Sequence, residues 1–236
     1  MALDKNSNGF TIGFAVILVT VVGALLASVS VGLKDRQDKN LEDKKRMSIL
    51  GAIKPSEEIT RETAADLYKK YIKEAIIISG KDKGTMEAFD VDVKKEFRDR
   101  TLAAEDRNYP LYICEKEGEK FYVIPMVGKG LWGPIWGFVA LKQDFTTIYG
   151  ATFNHKGETP GLGAEIKTTK FQEQYEGEQI TVNGTFAELV VVKDGSGRGI
   201  NNKIDGITGG TITSVGVQEM TSRTLEIYAD YFKSLK

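Results

Sequence analysis

A run of glycine, threonine and serine residues lies just before the last predicted helix of the chain. Residues 205–214 have the sequence DGITGGTITS and lead directly into the helical pattern of the C-terminus. The free N–H groups and the positive dipole end of a helix N-terminus favour a phosphate. The pattern therefore predicts a phosphate site with hydroxyls from Thr208, Thr211, Thr213 and Ser214. The alternative, that Thr213 or Ser214 only caps the helix, stays open on these grounds.

Three further glycine clusters lie in the second half of the chain, at residues 128–133, 161–163 and 195–199. Glycine lets a backbone approach a ligand closely or adopt a positive φ. Turns in a hairpin-rich domain need the same residue, so no single cluster identifies a site. None of them matches the P-loop or the dinucleotide fingerprint, and nucleotide binding of those two kinds is not predicted.

The composition excludes several classes of protein. The 236 residues include 32 Lys and Arg against 33 Asp and Glu, for a net charge of −1, and no basic block, which argues against nucleic-acid binding. With one histidine, His155, and one cysteine, Cys114, the chain lacks the side chains for a four-ligand zinc site, a Cys-ligated iron–sulfur cluster or an internal disulfide. Cys114 lies in an apolar run and is predicted to be a small core residue. Any redox chemistry must come from an organic cofactor or a partner.

An uncharged apolar segment near the N-terminus predicts a membrane anchor. Residues 10–33 contain no charged side chain, and 24 residues of helix extend roughly 36 Å, enough to cross a bilayer. A secretory signal peptide is the alternative, but the apolar run is longer than a usual h-region and the preceding residues carry little positive charge. Basic residues between 34 and 46 favour a cytoplasmic location for the chain after the span, although large domains translocate largely regardless of such charges.

The pattern after the anchor predicts an α+β protein. We divide the chain into an N-terminal tail (1–9), a transmembrane helix (10–33), a charged helical stalk or linker (34–55, ended by Pro55-Ser56) and a soluble domain (56–236). The domain is predicted to begin with an amphipathic helix from Ser56 to about Ala75. It should continue with antiparallel strands in 111–116, 121–128, 135–142 and 147–153, a hairpin at Asn183-Gly184 flanked by QITV and FAELVVVK, and a helix from residue 213 to 235.

The run DGITGGTITSVGVQ resembles the covalent flavin attachment motif of the FMN-binding subunits of bacterial respiratory flavoprotein complexes. Asp205, Thr208 and Gly209 match that pattern, and Gly210 stands where alanine is usual. Two other segments, GLWGPIWGFVAL (130–141) and HKGETPGLGAEI (155–166), together with the anchor, resemble the C subunits of the sodium-translocating NADH:quinone oxidoreductases. Residues 34–108 show no comparable match.

The resemblance implies a membrane anchor followed by a soluble FMN-binding domain, with an antiparallel sheet and packed helices. By position, a flavin transferase would join the FMN phosphate to Thr211 through a phosphoester. The loop around it would bind the phosphate end, and the other two glycine segments would receive the flat isoalloxazine ring. The residues implied in flavin binding besides Thr211 are Asp205, Thr208, Gly209, Gly210 and Thr213 in the loop, with Leu131, Trp132, Glu158, Thr159, Gly161 and Leu162 around the ring.

Several of these residues also have a purely structural interpretation. Trp132 could be a strand residue of the core, Glu158 a solvated turn residue, and Pro160-Gly161 part of a type II turn. His155 is expected to be a surface or structural residue. No acid–base pair is required of the chain, because a flavin carries the redox chemistry itself.

The resemblance also implies partners and a location. The protein would relay electrons from an iron–sulfur centre of the membrane subunits to the FMN of the B subunit, inside a complex of six subunits in which the B, D and E subunits are its nearest partners. The anchor would contact lipid of the bacterial inner membrane. The domain would lie on the periplasmic side, against the charge bias of residues 34–46.

Three alternatives stay open. The G subunit of the Rnf electron-transport complex would use the same chemistry in another assembly. A membrane-anchored binding module without a redox function would carry the glycine clusters only as turns. An anchored hydrolase is the weakest, because no Gly-x-Ser-x-Gly elbow is present and His155 would have to serve any Ser–His mechanism.

Overall fold

The computed structural model describes residues 7–54, 57–193 and 195–235. Two compact units divide at Lys44/Lys45. The first unit is helical and contains most of α1 (Asn8–Ile53), whose apolar part has a mean hydropathy of 2.6 and no buried side chain. By length and composition this helix can cross a membrane. The helix has no break after residue 33, in accord with the predicted helical continuation; Pro55-Ser56, the predicted stop, lie outside the described residues.

The second unit is built around one five-stranded antiparallel sheet, which confirms the predicted fold class. Its strands lie side by side in chain order, each paired with the next. They are β1 (Ile72–Ile77), β2 (Pro110–Lys116), β3 (Glu119–Lys129), β4 (Pro134–Leu141) and β5 (Ile148–His155). Short connections join β2 to β3 and β3 to β4, so these strands form two hairpins, as the antiparallel strands predicted from the sequence require.

Alternate residues of the sheet face two separate cores. On β4, Val139 and Leu141 belong to one core, while Phe138 and Ala140 belong to the other. The first core includes buried residues of α5 (Thr211–Lys233) and of α4 (Thr169–Gln172). The second includes α2 (Ala64–Tyr71) and the last residues of α1. Cys114 is fully buried in the second core, and burial raises the pKa of its thiol to about 12, so it is the inert core residue that the sequence predicted.

Smaller elements complete the domain. They are α3 (Val93–Arg98), a hairpin of β6 (Thr181–Val182) and β7 (Thr185–Phe186), and a parallel pair of β8 (Val190–Val192) and β9 (Lys203–Asp205). Asn183 and Gly184 both have positive φ, 52° and 75°, as the predicted tight turn requires.

Three expectations about the elements differ from the structure. The helix predicted to run to Ala75 ends at Tyr71, and Ile72 and Ala75 belong to the edge strand β1. The predicted partner strand FAELVVVK is split, since only its first residue lies in β7 and its valines form β8, which pairs with β9. The compact domain also begins at Lys45 rather than at Ser56, inside the segment predicted as a linker.

The early start of the domain has a clear physical basis. Ile49, Leu50 and Ile53 are fully buried in the second core. Lys45 donates through Nζ to the backbone oxygens of Phe89 and Val91, the latter at 3.0 Å. The last turns of α1 are therefore part of the folded domain, and spacing alone did not distinguish them from an exposed charged helix.

This assignment predicts a large difference between two substitutions in the same helix. Ile49→Ala should destabilise the domain by about 2–4 kcal/mol, because it removes a fully buried side chain. Leu41→Ala, at a side chain that is 64% exposed, should change stability by less than about 0.5 kcal/mol. Urea unfolding of the full chain in detergent measures both values, and equal effects would contradict the assignment.

Candidate functional site

The N-terminus of α5 is formed by a compact hydrogen-bonded loop. Gly210 N–H donates to Ile207 O at 2.8 Å, and Ile207 N–H donates to Ser214 Oγ at 3.0 Å. Gly210 is the N-cap residue and makes no side-chain cap. The first helical bond runs from Ser214 N–H to Gly210 O at 2.9 Å, so the N–H groups of residues 211–213 lack acceptors within the helix. These groups are available to an anion.

Thr211 is the first residue of α5 and is half-buried. Within the part of the chain that the structure describes, its hydroxyl has no hydrogen-bond partner. The hydroxyls of Thr213 and Ser214 are both engaged inside the protein: Thr213 Oγ1 donates to Glu158, and Ser214 Oγ donates to Gly210 O at 3.0 Å. Thr208 is exposed in the loop. Thr211 and Thr208 thus offer the reachable hydroxyls of this motif.

Asp205 has a structural role in this loop. Its Oδ1 accepts from Gly197 N–H at 2.7 Å, and its backbone N–H donates to Gln174 Oε1, also at 2.7 Å. The carboxylate therefore ties the 195–199 glycine cluster to the end of β9. The 195–199 cluster therefore has a structural contact with Asp205. The sequence alone did not distinguish such a contact from contact with a ligand.

The glycine cluster at residues 161–163 lies directly against the loop that precedes α5. A Cβ on Gly209, whose φ is +74°, would be 2.6 Å from Leu162 Cδ2, and a Cβ on Gly210 would be 3.1 Å from Gly163 N. Close packing at these two positions joins residues 161–163 to the first turn of α5. Alanine at 210 would require Ile207 and Gly163 to shift by a few tenths of an ångström.

Thr159, Pro160 and Gly161 form the exposed turn that leads into Leu162. Leu162 N–H donates to Thr159 O at 3.1 Å, and Gly161 has a φ of +75°, as expected at the third position of a type II turn. Gly161 N–H donates to Glu165 Oε1 at 2.9 Å. Residues 159–162 therefore form a turn, and this turn leads into the segment that packs against Gly209 and Gly210.

Glu158 connects all three segments. Its side chain is buried, with a relative exposure of 4%. Oε1 accepts from Trp132 N–H at 2.8 Å, and Oε2 accepts from Thr213 Oγ1 at 2.6 Å. Sequence analysis placed this side chain at the edge of a ligand or in solvent. The structure instead places it behind the site, with both oxygens bound by protein donors.

His155 supports Glu158 from the end of β5. Its Nδ1 accepts from Glu158 N–H at 3.0 Å, which requires an unprotonated Nδ1. Burial lowers the pKa of His155, the nearby Lys167 lowers it further, and Glu158 opposes both effects. The neutral ring therefore stabilises the fold above the ordinary histidine pKa of about 6.5, and that contribution is lost as the pH falls. This is the structural role that was expected of His155.

Large apolar side chains are exposed around the loop. Leu131 and Trp132 lie in the β3–β4 turn, which Gly130 N–H closes by donating to Gly133 O at 2.8 Å. Trp132 is 69% exposed, so the alternative of a core strand residue does not apply to it. Leu162 and Ile212 are also exposed. Such a surface suits a flat aromatic ligand whose charged end binds the α5 N-terminus.

The structure thus brings together Thr211, Thr208, Gly209, Gly210, Leu131, Trp132, Thr159, Gly161 and Leu162, with Thr213 and Glu158 beneath them. It assigns Asp205 to the supporting loop. Gly163 was predicted only as a member of the 161–163 glycine cluster, and Ile212 was not predicted. The close spacing of Gly161 and Gly163 was the available signal for Gly163, whereas the exposure of Ile212 depends on tertiary structure. Among the described residues no cluster of side chains is suited to a metal ion.

Comparison with known proteins points to the same region. A family model described as FMN-binding domain matches residues 130–226, which include every candidate residue of the site. A crystal structure of the C subunit of the Na(+)-translocating NADH-quinone reductase from Parabacteroides distasonis is 37% identical, with a TM-score of 0.74, covering 84% of this chain and 96% of that chain. The corresponding C subunit of Vibrio alginolyticus is 27% identical over 233 residues, which cover 92% of this chain and 90% of the relative. The crystal structure of NqrC from Shewanella oneidensis, at 24% identity and a TM-score of 0.62, shares the fold.

Proposed function

Because the chain belongs to the family of C subunits of the Na⁺-translocating NADH-quinone reductases, which are oxidoreductase complexes, we propose that its FMN-binding domain carries FMN covalently on Thr211. The observation that carries this proposal is the pairing of a free Thr211 hydroxyl with the free N–H groups of the first turn of α5. In the phosphoester, Thr211 Oγ1 would be bonded to the FMN phosphorus; in the net change the Thr211 O–H bond and one P–O bond of the FMN phosphate break, and the elements of one water leave. A flavin transferase is the maturation partner that this bond requires.

The residues present fit the phosphate end of FMN. The positive end of the 23-residue helix α5 and the N–H groups of residues 211–213 stabilise the phosphate charge. Gly209 and Gly210 let residues 161–163 pack closely against this turn, and the exposed Thr208 offers a further hydroxyl. These backbone N–H groups and hydroxyls would hold the phosphate.

The exposed apolar residues fit the isoalloxazine ring. Leu131, Trp132 and Leu162 form its wall, and the backbone of Thr159 and Gly161 lines its edge. Bound FMN supplies one-electron redox chemistry, and the protein orients it. A ring held at the surface of the domain, rather than in its core, is accessible to electron donors and acceptors on other subunits. From the family resemblance, we propose that the donor is an iron–sulfur centre and the acceptor the FMN of the B subunit, with the B, D and E subunits as neighbours.

The test of covalent attachment is retention of the flavin through denaturation. The full chain made with a flavin transferase should give a fluorescent band on a denaturing gel, and the chain made without the transferase should not. A chain that loses its flavin on denaturation would contradict the phosphoester. A chain that never acquires flavin would favour the anchored binding module. The G subunit of the Rnf complex is disfavoured by the NADH-quinone reductase relatives, which match over nine-tenths of this chain.

The long apolar helix fits a membrane-anchored protein. We place it in the bacterial inner membrane, in contact with lipid, with the domain on the periplasmic side. The supporting argument is the family resemblance, because the basic residues after the span favour the opposite side.

Orientation can be measured with one introduced thiol. Thr185→Cys adds an exposed cysteine on β7, and it should react in whole cells with a membrane-impermeant maleimide after the outer membrane is permeabilised. The unsubstituted chain is the matched control, because its Cys114 is buried and should not react. Labelling that occurs only after cell lysis would place the domain in the cytoplasm.

A further inference from the structure

The buried carboxylate of Glu158 is the point where the three segments of the proposed flavin site meet. One oxygen accepts from the backbone of Trp132, in the turn that forms the ring wall. The other accepts from Thr213, two residues after the attachment residue and in the same helical turn. The Glu158 backbone is in turn fixed by His155 Nδ1. A single side chain thereby sets the position of the ring wall relative to the first turn of α5.

Two glycines, Gly130 and Gly163, lie next to this carboxylate, where a larger residue would overlap it. A Cβ on Gly130 would lie 2.6 Å from Glu158 Oε1, and a Cβ on Gly163 would lie 2.6 Å from Glu158 Oε2 and 2.4 Å from Thr213 Oγ1. Real Cβ contacts do not occur at such distances. A methyl group at either glycine position would therefore overlap the Glu158 carboxylate, which occupies this space.

We propose that Glu158 is a positioning residue for the flavin: it acts through Trp132 and Thr213 to hold the ring wall against the attachment turn, and from behind that wall its carboxylate would add a negative charge near a bound flavin. This inference rests on the proposed function. Both oxygens of this carboxylate accept hydrogen bonds from protein donors, one of them Thr213 in the first turn of α5. A fixed negative charge opposes the addition of an electron to a neighbouring group, so it lowers the flavin's midpoint potential.

Two variants separate the geometric effect from the charge. In Glu158→Gln, the amide carbonyl can still accept from Trp132 N–H, while the NH₂ group can donate to the Thr213 hydroxyl. This variant should keep the visible circular dichroism of the bound flavin and shift its midpoint potential to a more positive value. Glu158→Ala removes both contacts. It should retain flavin on Thr211 but lose at least half of the visible circular dichroism and fluoresce several times more strongly, because the ring is no longer held.

The experiment uses the full chain, made with a flavin transferase and purified in detergent. Glu96→Ala is the matched control, because Glu96 also has a partly buried carboxylate with two hydrogen bonds, both from Asn108. It should lower stability without changing the flavin spectrum or potential. Thr213→Val should lose part of the visible circular dichroism of the bound flavin, as Glu158→Ala does. Thr213→Ser keeps the hydroxyl and should show the wild-type circular dichroism.

Each outcome decides one of the two claims. Wild-type circular dichroism in Glu158→Ala, or an unchanged potential in Glu158→Gln, would overturn the role of Glu158. If Glu158→Ala does not fold, the two Thr213 variants and Glu158→Gln still test it. Absence of flavin from the unsubstituted chain would instead overturn the proposed function. In that case, hydrogen exchange of the Trp132 amide tests Glu158 alone. The exchange rate should rise at least tenfold in Glu158→Ala, which removes the acceptor, or in Thr213→Val, and should stay near the wild-type rate in Glu158→Gln, which keeps an acceptor; an unchanged rate in the first two variants would contradict the positioning role.

Discussion

Replacing Thr211 with alanine should give a chain that carries no covalent flavin. The reason is chemical, because alanine has no oxygen to bond to the FMN phosphorus, and the hydroxyls of Thr213 and Ser214 are bound inside the protein. In-gel fluorescence after denaturation should fall to background. In the assembled complex, NADH-dependent quinone reduction should also fall to background, because the proposed relay lacks its carrier.

Two controls accompany this substitution. Thr211→Ser keeps the hydroxyl and should still be fluorescent, whereas Thr185→Ala removes an exposed hydroxyl elsewhere and should have no effect. Full fluorescence of Thr211→Ala would show that another residue is the attachment point. The exposed Thr208 would then be the first residue to substitute.

The second large effect is expected at Gly163. An alanine there would place its Cβ 2.4 Å from Thr213 Oγ1 and 2.6 Å from Glu158 Oε2. Because the added methyl group would overlap both partners of the Thr213–Glu158 hydrogen bond, the substitution should cost about 2–4 kcal/mol, from overpacking together with loss of a buried hydrogen bond. For a domain of this size, that corresponds to a fall in melting temperature of roughly 5–15 °C.

Gly157 provides the matched control for this prediction. It lies in the same loop, its φ is not positive, and a Cβ on it would meet nothing within 4 Å. Gly157→Ala should therefore change the melting temperature by less than about 2 °C. Thermal unfolding of both full-length variants in detergent makes the comparison. Similar melting temperatures for the two variants would show that the Glu158 cluster has room to relax.

The central sheet was largely predictable from sequence because β2 to β5 are joined along the chain and alternate between two cores. In β4, for example, the neighbours Phe138 and Val139 belong to different cores, so the alternation is visible in the sequence of the strand itself. The helix α5 was predictable for the same local reason. The turn at Asn183-Gly184 was found because both residues tolerate positive φ.

The errors have long-range causes. Ile72 and Ala75 continue a helical spacing, yet their segment pairs with β2, some forty residues later in the chain, and pairing overrides spacing. Likewise, the charges around Ile49 suggest an exposed helix, whereas its burial depends on strands much later in the chain.

In the candidate site, too, some features were predicted from the sequence and others depend on the folded structure. The resemblance indicated which residues lie near one another, and the packing of Gly209 against Leu162 agrees with it. It did not indicate what each residue does. Glu158 and Asp205 are both acidic residues next to glycines in the sequence. Only the folded chain shows that one joins three segments and the other ties down a loop.

Mass spectrometry of the tryptic peptide 204–223 tests the central claim most directly. This peptide contains Thr208, Thr211, Thr213 and Ser214, so fragmentation can assign a modification to one hydroxyl. For the full chain made with a flavin transferase, we predict a mass gain of one FMN less one water, on Thr211. An unmodified peptide, from cells in which a known acceptor protein is flavinylated, would contradict the covalent site and with it the proposed electron relay through this chain.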